Sequence, residues 1–204
     1  MRKLVVLSAL ALASCGDDRD RDPLRVTFRL DGAISGVRSI VVDRTTATES
    51  VESGSATLMV GDGAFGGPRI ACTQVGDTFV LSAVQNYGEA HGAGVYLKVK
   101  RFAGAGGYTL DDGGRAWLFD RGHIQACTRD GDRTCYQAGD GCTLQVERWD
   151  VTPAGAPYPS GVLAGEARGR FACGPLVNAT TGGSVRILDG RFVCRAEDWT
   201  VAGR

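Results

Sequence analysis

The sequence predicts an all-β domain, an antiparallel β-sandwich or partly open barrel with three disulfides and little or no helix. Three observations lead there. Apolar and polar residues alternate at period two along short runs, 30 glycines gather largely between those runs, and six cysteines follow an export-type leader. Alternation at period two places every second side chain on one face, as a half-buried strand requires. After Cys15 no glycine-free window repeats apolar residues at i, i+3, i+4 and i+7, so almost no helix is expected.

In chain order, "LRVTFRLD" puts Leu24, Val26, Phe28 and Leu30 on one face and Arg25, Thr27 and Arg29 on the other. Runs of the same kind follow at Val37 to Asp43, Ser55 to Val60, Pro68 to Gln74 and Thr78 to Gln85. "VYLKVKRF" turns Val95, Leu97 and Val99 inward and Tyr96, Lys98 and Lys100 outward. Ala116 to Asp120, Thr143 to Trp149 and Val185 to Leu188 complete the set. Between them stand "GDGAFGG", "GAGG", "DDGG", "AGDG" and "TTGG", which read as turns. Strands punctuated in this way indicate a sandwich or a barrel.

Near its end the chain writes Gly-Arg-Phe-x-Cys twice, at Gly169 to Cys173 and at Gly190 to Cys194. Phe and Cys two apart share a face, and Arg170 and Arg191 point the other way. Each copy reads as a strand terminus that sends a ring and a half-cystine into the core.

An even set of six cysteines in an exported chain reads as three disulfides. Cys127 and Cys135 flank the turn "RDGDR" and are expected to pair across it. "VTPAGAPYPS" is too rich in Pro and Gly to continue a strand, and folding the chain about it brings Cys142 to Cys173. Cys72 and Cys194 remain and pair by elimination. The chain has no Cys-x-x-Cys and neither histidine has ligand-like spacing, so no metal site is expected.

Met1-Arg2-Lys3, the apolar run Leu4 to Ala13 and a small residue before Cys15 have the layout of a secretory signal. Leu12, Ala13, Ser14 and Cys15 match a bacterial lipobox at every position, which divides the chain into a signal at 1–14, a lipidated cysteine with a charged spacer at 15–23, and one β domain at 24–204. Two or three acyl chains on Cys15 would anchor the protein, each buried methylene contributing about 0.8 kcal/mol. Gly16 rather than an aspartate follows Cys15, which favours the outer membrane over the inner.

The lipobox "LASC", the central "FAGAGGYTL" and the terminal "SVRILDGRFVC" together resemble small bacterial lipoproteins of unknown function. A more distant likeness is to the envelope lipoprotein-antigen family. The resemblance implies an anchored, mostly β, envelope-facing module with disulfides, and it carries over no functional residue.

Basic and acidic residues balance at 23 each with no clustered basic block, which excludes a nucleic-acid footprint. The phosphate-loop, zinc-protease and nucleophile-elbow motifs are absent. His91 stands near Glu89 and His123 near Asp120, the two base-and-orienter pairs the sequence offers to a hydrolase. Asp130, Asp132 and Asp140 offer hard oxygen ligands to calcium in glycine-rich loops, although their spacing departs from the helix-loop-helix pattern. Trp117 and Trp149 lie in strand-like runs as core residues, Trp199 is a further large ring near the end of the chain, and Tyr158 in "PYPS" is the aromatic set on an exposed turn. The reading is a non-enzymatic structural or interaction module without cofactor, tied to a membrane by lipid on Cys15 and meeting a protein or glycan partner. A carrier holding an apolar or lipid ligand inside the β domain is the first alternative, and an envelope hydrolase the second.

Overall fold

The computed structural model describes residues 24–42, 69–85, 92–110, 114–122, 134–138, 140–155 and 158–200. The expected strand at Ser55 to Val60, the leader with Cys15, and Cys127 lie outside them. Within them the chain is all-β, as the alternation predicts. The strands are β1 (Leu24–Gly32), β2 (Gly36–Val42), β3 (Arg69–Val75), β4 (Thr78–Gln85), β5 (Gly92–Val99), β6 (Gly106–Thr109), β7 (Arg115–Gly122), β8 (Cys135–Ala138), β9 (Cys142–Pro153), β10 (Leu163–Val177) and β11 (Ser184–Asp198).

The long hairpin of β10 and β11 organises everything else. One side of β11 runs along β10, and its other side takes β1 from Val185 to Val193 and then β3, in parallel, from Arg195 to Asp198. β10 pairs with β9 from Leu163 to Cys173 and reaches β8 through Val177 opposite Gln137. The ladder therefore closes into a ring, β3-β4-β5-β7-β8-β10-β11, with β1 and β2 attached beyond β11 and with β9 and β6 attached beyond β10. Asn178 ties the seam. Fully buried, it donates from Nδ2 to the Cys135 carbonyl at 2.8 Å and accepts on Oδ1 from the Thr180 and Thr181 amides at 3.0 and 2.8 Å.

Inward-facing residues of both halves share one core. Phe28 meets Phe171, and Phe79 stacks on Phe102 at 4.6 Å while Trp149 stands edge-on to both. In "FAGAGGYTL", Phe102 and Leu110 are buried, Gly104 takes a φ of +98°, and the Tyr108 hydroxyl donates back to the Gly104 carbonyl at 2.7 Å. That positive φ is open to glycine and strained for other residues. The second half of "GAGG", read as a turn, thus stands in strand β6.

Other expectations change as well. Neither Gly-Arg-Phe-x-Cys copy is a strand terminus, because β10 continues to Val177 and β11 to Asp198. β11 runs past Leu188 because Asp189 adopts a φ of +53° and the Asp-Gly pair forms a β-bulge instead of a turn. β9 likewise carries on through Val151 to Pro153, where β6 no longer pairs and a proline on the open edge interrupts no ladder.

Cys142 bonds Cys173 directly opposite it, and Cys72 bonds Cys194 across the parallel β3 and β11 strands. These are the pairs that the hairpin and the elimination argument named. Cys135 is also in disulfide form.

Candidate functional site

The two motif copies stand side by side. Across the β10–β11 ladder Gly169 faces Phe192, Arg170 faces Arg191, and Phe171 faces Gly190. Each ring lies over the other copy's glycine. A Cβ on Gly169 would come within 2.7 Å of the Phe192 ring, and one on Gly190 within 2.7 Å of the Phe171 ring. Gly169, Gly190 and both phenylalanines are buried, while the two arginines are exposed together on the outer face.

Those arginines line a groove of about 600 Å³ that crosses β6, β9, β10 and β11. Gly107, Thr143, Gln145 and Asp189 border it too. Like charges directly opposite across a ladder destabilise a sheet. Of the two acids nearby, one offsets the cost. Glu147 accepts from Arg170 Nε at 2.5 Å, whereas Asp189, re-aimed by the bulge, pairs with Arg29 at 2.6 Å. Among the described residues no acidic side chain pairs with Arg191.

A second cluster sits at the far end of β11. Glu197 is 3% exposed and its carboxylate accepts from the Tyr158 hydroxyl at 3.4 Å and from Trp199 Nε1 at 3.1 Å. Arg195 stacks over the Tyr158 ring at 5.5 Å. Burial pushes the Tyr158 phenol well above its ordinary range, and the neighbouring Glu197 charge and hydrogen bond push it further. Tyr158 is thus a half-buried cover over a carboxylate, and not the free aromatic on an exposed turn that "PYPS" implies.

The remaining sequence candidates separate. Cys15, Cys127, His91, Glu89, His123, Asp130 and Asp132 lie outside the described residues, and Asp140 is exposed. Asp120, offered as an orienter for His123, is held by a two-pronged pair from Arg38, Nε to Oδ1 at 3.1 Å and Nη2 to Oδ2 at 3.0 Å. Among the described residues no three His, Cys, Asp or Glu side chains gather as a metal site would need. Trp149 is a core residue as expected, but Trp117 lies on the outer face, stacked on Tyr96 at 4.9 Å. Sequence reasoning missed the juxtaposition of Arg170 with Arg191. The repeat itself was the signal, yet only the register makes the copies neighbours.

Comparison with family models, curated proteins and solved structures finds no match to the chain.

Proposed function

We propose that the chain is a lipid-anchored module of the bacterial cell envelope that presents a stapled β domain to a partner and catalyses no reaction. The observation that carries this reading is the pair of disulfides, Cys142 with Cys173 between neighbouring strands and Cys72 with Cys194 between strands far apart in sequence. Such staples persist in an oxidising compartment, and the lipobox ending at Cys15 leads to one. A partner-facing role is supported by the outward groove. The carrier alternative draws no comparable support, since Phe28, Phe79, Phe102 and Phe171 fill interior positions with rings in mutual contact.

The test is expression of the full chain and of Cys15→Ser in a Gram-negative host. The expected result is fatty-acid label and membrane fractionation for the first, and a released chain with its thiols still oxidised for the second. Membrane retention of the serine variant, or free thiols at Cys72 and Cys142, would sink the reading.

A further inference from the structure

We infer that the groove between the two motif copies is a binding site for a phosphate group, with Arg170 and Arg191 as its paired cations. The inference deepens the partner-facing reading and rests on it for the biological setting, but its chemistry stands on the groove alone. Two arginines at directly opposed ladder positions, both lining the groove, put like charges side by side, which costs stability when the groove is empty. A phosphate monoester carries close to two negative charges near neutral pH, and its oxygens fit the guanidinium fork. Two arginines therefore match it in charge, where a single carboxylate would match one.

The surrounding groups fit that occupant. Arg191 has no acidic partner among the described residues, so it meets the ligand without giving one up. Arg170 must release Glu147. The pair is exposed, 66% on the arginine and 39% on the glutamate, and exposed pairs hold weakly. Asp189 would repel an anion, but the bulge turns it to Arg29. A non-glycine residue at positive φ is a strained choice that recurs beside functional sites. Thr143 and Gln145 add neutral donors along the groove, and Gly107 leaves its border free of a side chain. The group carrying the phosphate can then lie over β6 and β9.

The experiment is titration calorimetry of the full chain in detergent at low ionic strength. The probes are inorganic phosphate, glycerol 1-phosphate and uncharged glycerol. Both phosphates are expected to bind and glycerol is not. Tighter binding of glycerol 1-phosphate would identify an esterified headgroup as the source, and equal binding would identify the free ion. Arg191→Ala is expected to weaken binding about tenfold, the loss of one charge-assisted contact. Arg191→Lys retains part of it, and Glu147→Gln strengthens it by freeing Arg170. Unfolding midpoints of all three variants serve as the folding control. No binding of either phosphate, or wild-type affinity in a folded Arg191→Ala protein, would overturn the inference. Cys15→Ser keeps the groove, so failure of the anchor and failure of the site are read separately.

Discussion

Gly169 and Phe192 stand opposite each other across the β10–β11 ladder, and the glycine's missing side chain is the space the ring occupies. The same arrangement recurs in reverse between Gly190 and Phe171. The repeated phrase is therefore one reciprocal contact written from both sides. A methyl group at either glycine must displace a ring and a carbonyl oxygen, since Gly169 also abuts the Gln145 carbonyl and Gly190 the Phe171 carbonyl. Gly169→Ala and Gly190→Ala should each lower unfolding free energy by about 1–3 kcal/mol, as overpacking does. Urea denaturation measures the change. A neutral outcome at both sites would mean that the hairpin relaxes freely there.

Asn178 is buried and satisfied by groups from its own turn and from β8. Asn178→Ala strands the Cys135 carbonyl and two amides at the seam of the ring. The expected loss is about 1–3 kcal/mol for each group left unsatisfied, partly recovered where water enters. Hydrogen exchange should show the effect concentrated at β8 and at the β10–β11 turn. Uniform loosening across β4 and β5 would contradict a local seam.

Of the two described disulfides, the one joining Cys72 to Cys194 closes the longer loop, with a sequence separation of 122 against 31 for Cys142 and Cys173. In the chain-entropy model stabilisation grows slowly with loop length, from about 3.7 to about 4.9 kcal/mol over this range. Removing Cys72 and Cys194 together should therefore cost more than removing Cys142 and Cys173. Paired melting curves decide the order.

The Tyr158 phenol is shifted upward by burial first and by Glu197 second. A raised value means that the folded state favours the protonated phenol. Its contribution is complete below the unfolded value of about 10 and is lost as pH rises toward the higher folded value. Stability should fall above about pH 10, and Tyr158→Phe should make that fall shallower. Tyr96 is also raised by burial, so some decline remains in the single variant and less in Tyr96→Phe/Tyr158→Phe. Identical alkaline slopes in wild type and both variants would rule out these phenols as the cause.

Strand identity was legible wherever one face is buried. Val26, Phe28 and Leu30 announce β1, and Phe79, Leu81 and Ala83 announce β4, because burial selects every second residue. Strand length was less so. Asp189-Gly190 carries turn chemistry, and only pairing with β1 and β10 together makes it a bulge in a continuing strand. Trp117, expected in the core, instead stacks on the outward-facing Tyr96 and packs beside Val84 and Phe119 in a layer outside the main core, which alternation alone does not signal. The arginine groove was least legible. Four strands line it, and the register joining them depends on bulges at Arg168/Gly169 and at Asp189.

β11 serves as partner to β1, β3 and β10 at once. Chain growth from the N-terminus delivers it after every other described strand. Until it arrives, β1 holds only β2, β3 holds only β4, and each keeps an open edge. Such non-local pairing slows folding, because loop closure comes before the contacts that reward it. Exposed edges in the waiting chain also invite association with other chains. The order of synthesis thus makes β11 a latch on folding time: the ring cannot close until β11 itself has emerged.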